Sequence, residues 1–187
     1  KRAVLSDSLE IALLATKTQI PLMGLPAMDL EAHKKEEQHY THLLQHESEF
    51  NYLHYKTYQL IYKWNRFRSQ EDLEILQEVM QHPLLQHEKE ALTFRSKMQF
   101  YDIHATYHSK VTQDGMKSYH YQKAYLQFWE KDEERMRMTP SLYYTGFFNY
   151  LQVCKQLRKY DDLMTGLEIL KETAQKFGYF KTSHFQQ

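Results

Sequence analysis

The chain has 187 residues, with 24 basic and 24 acidic side chains that cancel and 11 histidines that add charge only on acidification. The balance gives no bulk-charge reason to expect a polyanion as partner. Five glycines and four prolines are too few turn formers for a many-stranded fold, and no apolar run approaches the ~20 residues of a membrane span. The expected class is all-α, a single domain over residues 1–187. Cys154, the one cysteine, has no internal disulfide partner, and no charged-then-apolar leader opens the sequence. Both features point to a cytoplasmic, reducing setting. The first residue is Lys1 and not methionine, which points either to an artificially chosen boundary or to a fragment of a longer protein.

In chain order, Leu9, Ile11, Ala12, Leu13, Leu14 and Ala15 predict a short apolar helix from Ser6 to about Gln19, capped by Ser6 or Asp7. Pro21, Gly24 and Pro26 then predict a connector over residues 20–27. From Met28 to about Arg66 there is neither proline nor glycine, which permits one long helix. Its run Glu31 to His39 is almost wholly polar, whereas Leu53, Tyr58, Leu60, Ile61 and Trp64 restore an apolar face, and a break is expected between His46 and Asn51. Residues 1–50 are therefore expected to form an N-terminal helical extension.

Ser69 followed by Gln70, Glu71 and Asp72 predicts a capped helix running through Leu76 to Gln81, stopped by Pro83. The next is expected from His87 or Glu88 to about Lys110, then a turn at Asp114-Gly115, then a helix from Met116 to about Glu134. Thr139 is expected to cap a helix with Pro140 at its first position and an end near Lys159. The last runs from Tyr160 to Phe177 and is closed by Gly178, leaving a frayed tail over residues 179–187.

Read this way, residues 51–178 hold three helical hairpins whose second helices enter their apolar face at Leu73, Ser118 and Leu163, each 45 residues after the one before. An even register of this kind is what a helical repeat leaves in a sequence, because each hairpin buries its apolar face only against its neighbours.

The last hairpin resembles a tetratricopeptide repeat. Tyr160 stands where that family opens its second helix with an aromatic residue, and Leu163, Leu167 and Leu170 stand three, seven and ten residues further on. Phe147, Tyr150, Leu151 and Cys154 fall on the key positions of its first helix. Shifting by 45 brings Gly115, Ser118, Gln122 and Tyr125, then Gln70, Leu73, Gln77 and Met80, to the second-helix sites. The spacing exceeds the family's usual ~34 residues and sits nearer the ~40 to 47 of HEAT-like arrays. The chain as a whole resembles uncharacterised bacterial proteins of tetratricopeptide-like, long-helix type.

The resemblance implies an α-α superhelix and a non-catalytic scaffold for a protein or peptide partner. It also implies that the first helices line a groove with Tyr55, Tyr58, Tyr62 and Asn65, then Phe100, Ile103, Tyr107 and Lys110, then Thr145, Phe148, Gln152 and Lys155. An aromatic groove with a lysine at the same place in two hairpins suits an extended peptide or a helix. Against it stands the reading that these tyrosines pack on the neighbouring hairpin or on the N-terminal helix.

Other constellations carry less. His39, His42 and His46, with Glu36 one turn earlier, have the spacing of metal ligands on one helix face, but only one Glu-x-x-His motif is present and a solvated face is expected. His104 and His108 form a second i, i+4 pair of the helix-surface kind. No nucleophile-base pair, phosphate-cradling loop or clustered acid pair occurs, so no catalytic residue, metal or cofactor is expected, and Cys154 reads as a small core residue. Lys63, Arg66 and Arg68 beside Tyr62 and Trp64 resemble a single-stranded nucleic-acid contact, yet a helix C-terminus attracts bases anyway. The alternatives to a scaffold are a small-molecule or metal-binding regulatory domain and, third, a nucleic-acid-binding repeat.

Overall fold

The computed structural model describes residues 9–23, 30–62 and 70–177; expectations for Ser6 and Asp7, the Gly24 and Pro26 connector, the Ser69 cap, the basic cluster at 63–68 and the tail from Gly178 lie outside these. The described residues are all-helical. Eight α-helices run α1 Leu9–Met23, α2 Leu30–Tyr62, α3 Gln70–Met80, α4 Phe94–Tyr107, α5 Gly115–Trp129, α6 Glu133–Met138, α7 Pro140–Gln156 and α8 Tyr160–Phe177. Two 3-10 turns, Pro83–Leu85 and Glu88–Glu90, precede α4, and a π-turn, His108–Thr112, follows it. None of these helices is long and apolar enough to cross a membrane.

The chain divides into two compact units, Lys1–Ile103 and His104–Gln187. In the first, α2 packs on both α1 and α3. Its core is Phe50, Leu53 and Ile61 from α2, Leu76 and Val79 from α3, Leu85, and Phe100 and Ile103 from α4. In the second, α7 packs between α5 and α8. There a run of rings forms the core: Trp129 meets Tyr143 edge-on at 6.1 Å, Tyr143 meets Phe147 at 5.5 Å, Phe147 meets Tyr150 at 6.3 Å, and Tyr150 lies 5.8 Å from Tyr119. Edge-to-face pairs at this spacing add to plain burial. Burial also pushes the Tyr143 hydroxyl up to about 12.

Several expectations are corrected. Helix α1 includes Pro21, whose ring removes one backbone donor without ending the helix there. Helix α2 is unbroken between His46 and Asn51, because His46, Glu47 and Phe50 are buried there and tertiary packing outweighs the polar composition. Helix α4 starts at Phe94 and not near His87. Its start is fixed by a reciprocal cap: the Ser96 amide donates to Thr93 Oγ1 at 3.1 Å and the Thr93 amide to Ser96 Oγ at 2.9 Å. The helix expected to reach Glu134 stops at Trp129, because Asp132 caps a separate α6 through the Arg135 amide at 3.0 Å. Thr139 makes no side-chain cap for α7; its hydroxyl donates back to the Arg135 carbonyl at 3.1 Å.

The 45-residue spacing recurs in the backbone. Helices α5 and α8 begin at Gly115 and Tyr160, 45 apart. Two described non-glycine residues have left-handed φ, Gln113 at 55° and Arg158 at 56°. They too are 45 apart, and each sits two residues before a second helix. At Arg158 the turn is a full Schellman motif: the Lys159 amide bonds the Cys154 carbonyl at 2.9 Å and the Arg158 amide bonds Lys155 at 3.1 Å.

Candidate functional site

The outward face of α7 is built by elimination. Tyr143, Gly146, Phe147, Tyr150, Leu151, Val153 and Cys154 are all buried, leaving one stripe at helical spacing for solvent. That stripe is Ser141, Thr145, Phe148, Gln152 and Lys155, all exposed. Phe148 is 55 % exposed, and an amide and an ammonium follow it on the next two turns. The face offers an apolar anchor, a donor-acceptor pair and a cation in line, which is the inventory for binding a peptide or helix side-on.

The first two sets of groove residues are placed differently. Tyr55 is exposed on α2, whereas Tyr58 is half-buried, and Tyr62's side chain is outside the described residues. Phe100 is 4 % exposed and Ile103 fully buried, so these side chains are taken up by their unit's core and not displayed to a partner. Tyr107 is half-buried, edge-on to His108 at 5.4 Å, and Lys110 is exposed in the π-turn. Thr145, Phe148, Gln152 and Lys155 are thus brought together on one surface, and the α4 set is not.

What replaces a groove between α2 and α4 is a polar seam that sequence reading missed. Asp102 Oδ2 accepts from His54 Nε2 at 2.8 Å and from the Tyr58 hydroxyl at 2.7 Å, while the His54 and Tyr58 rings lie 4.6 Å apart. One turn along, Gln99 Nε2 donates to Asn51 Oδ1 at 2.6 Å. Further on, His46 Nε2 donates to the Glu90 carbonyl at 2.6 Å. These partners are 44 or 48 residues apart in sequence, close to the repeat spacing. The available signal was a polar residue recurring at that interval on an otherwise apolar face.

A second missed cluster joins α5 to α8. Tyr119 accepts from Lys123 Nζ at 3.1 Å and donates to Asp162 Oδ2 at 3.1 Å, and Lys159 Nζ lies 4.6 Å from the Tyr119 ring centroid. Asp162 has Lys123 at 3.8 Å and Lys159 at 4.0 Å. Beneath it, Cys154 is fully buried and burial pushes its thiol up, opposed by the Tyr150 hydroxyl. A thiol held protonated and out of solvent is a poor nucleophile.

The histidines divide. His39 and His42 are exposed, but His46 is buried against Phe50, with rings 5.0 Å apart, where a solvated position was expected. Burial lowers the His46 pKa, with the bond to the Glu90 carbonyl opposing. His104 and His108 both stack on Tyr121, at 4.6 Å and 5.7 Å with nearly parallel planes, and burial followed by Lys117 lowers the His108 pKa. Among the described residues no three of His, Cys, Asp and Glu are placed to hold a metal ion.

Comparison with known proteins adds no name to this geometry: no family model, no curated protein and no solved structure matches the chain.

Proposed function

We propose that the chain is a non-catalytic interaction scaffold of tetratricopeptide-like helical hairpins, binding an extended peptide or a helix of another protein through the outward face of α7. The observation that carries this reading is Phe148, a large aromatic 55 % exposed in line with exposed Gln152 and Lys155. Isolated apolar residues on a surface are ordinary, but one flanked on the same stripe by hydrogen-bonding and cationic groups is the composition of a binding face. The hairpin reading draws support from the 45-residue spacing of the α5 and α8 starts and of the left-handed turn residues before them, and from side-chain bonds between positions 43 to 48 residues apart. The buried thiol of Cys154 fits a reducing compartment.

The experiment is capture from cell lysate with the parent chain, Phe148→Ala and Lys155→Ala, each with nuclease treatment. Both variants keep the parent Tm, because neither side chain is in the core. Phe148→Ala loses the captured protein by about tenfold or more, as interface anchors do. Equal capture by all three chains overturns the reading.

A further inference from the structure

The face of α8 that carries Tyr160, Met164 and Leu167 is dressed like a buried one. These residues are four and three apart, so they form one stripe, and all are exposed, Met164 at 58 % and Leu167 at 44 %. Gly166, Leu170 and Ala174 of α8 are buried, and Gly166 lies against Leu151 of α7; Leu170 and Ala174, three and seven residues beyond Leu167, mark the edge at which the exposed stripe meets the covered part of the helix.

The same positions of α5 show what such a stripe is for. Moving back 45 residues takes Tyr160 to Gly115, Met164 to Tyr119 and Leu167 to Gln122. On α5 Gly115 is half-buried, and Tyr119 and Gln122 are only 4 % and 6 % exposed. Tyr119 meets Tyr150 of α7 at 5.8 Å and Asp162 of α8 at 3.1 Å: both helices of the following hairpin reach it. Two helices that begin 45 residues apart therefore present the same face, covered by a hairpin in one case and open in the other.

We infer that the Tyr160, Met164 and Leu167 face is a stacking surface for a further helical hairpin in the same 45-residue register. This rests on the hairpin reading of the fold and not on the binding face of α7, which lies on another helix. The chemistry of the occupant follows from the register. Its first helix supplies an aromatic residue over Met164, as Tyr150 does over Tyr119. Its second helix meets Glu168 where Asp162 of α8 meets Lys123, since 168 is 45 beyond 123. Glu168 is exposed, so the occupant needs a basic residue where α8 has Asp162; a like charge there opposes docking.

The test lengthens the full chain after Gln187 with a second copy of residues 143–177, which keeps the register because 188 − 45 = 143. Two versions are made, one with the copy unchanged and one with Asp162→Lys in the copy. Each also carries Met164→Cys in the original α8 and Cys154→Ala in the copy, and maleimide labelling reads the exposure of position 164; the original Cys154 is fully buried and stays silent. The Met164→Cys chain without the copy labels fast. The Asp162→Lys copy slows labelling by about tenfold or more and raises Tm on the order of 5 °C, as an added repeat does; the unchanged copy protects less. Equal labelling in all three chains overturns the proposal. So does concentration-dependent protection in the unextended chain with dimer formation by sedimentation, which assigns the face to a second copy. Loss of protein capture by Phe148→Ala bears on the α7 face alone and leaves this result unaffected.

Discussion

Gly146 of α7 lies directly under the ring of Tyr125 of α5, with no room for a Cβ between the backbone and Cε1. The ring is held there by its hydroxyl, which donates to the Leu142 carbonyl at 3.3 Å. Helix α7 thus approaches α5 as closely as it does because one residue lacks a side chain. Gly146→Ala is expected to cost about 1 to 3 kcal/mol by overpacking. Gly166→Ala costs less, since its added methyl meets the end of a mobile side chain, Leu151 Cδ2 at 2.7 Å. Urea melts of both variants give the order.

Arg158 holds the left-handed position of the Schellman turn after α7 at φ 56°, a conformation that glycine adopts without a Cβ penalty. Its side chain is exposed. Arg158→Gly is therefore expected to stabilise the chain, by up to about 1 kcal/mol, and Gln113→Gly to do the same at the equivalent turn. A higher denaturation midpoint in each single variant, with gains adding in the double, is the outcome to look for.

At the α2 and α4 seam, Asp102 satisfies two donors with one carboxylate oxygen. Asp102→Ala strands both His54 and Tyr58 and is expected to cost about 1 to 3 kcal/mol, whereas Tyr58→Phe removes one donor and costs about 1 kcal/mol. In a double-mutant cycle the second substitution adds almost nothing once Asp102 is gone.

Acidification acts through His46 and His108, whose pKa values are lowered chiefly by burial. A histidine with a lowered folded pKa binds its proton more readily when unfolded. Its contribution to stability is thus complete above the unfolded value near ~6.5 and is lost as pH falls from there through the folded value. Tm is expected to drop as pH falls below about 6.5, and His46→Gln with His108→Gln to flatten that part of the profile.

Much of the helical plan was legible in the sequence because its punctuation is local. The starts of α7 at Pro140 and of α8 at Tyr160 follow from proline and turn chemistry. Of the three residues expected to enter the apolar face, Ser118 is buried and Leu73 and Leu163 are half-buried. The misplaced boundaries were those set by tertiary burial. His46 and Glu47 read as solvent-facing, but both are buried, His46 against the Phe50 ring and bonded to the Glu90 carbonyl. The Thr93 and Ser96 cap was legible in principle, but the acidic residues at 88 and 90 drew the start forward. Of the candidate binding residues, the exposure of the α7 set was readable because that helix is covered on one side. Phe100 was not, because a hydrophobic residue looks the same whether its face meets a core or a partner.

The most direct measurement of the central claim is photo-crosslinking in cells from a benzophenone side chain placed at Phe148 or Gln152, with Arg137, exposed on α6, as control. The account predicts a discrete adduct from positions 148 and 152 that is destroyed by protease, survives nuclease and is absent from position 137. Adducts of the same pattern from all three positions, or an adduct removed by nuclease, would contradict it.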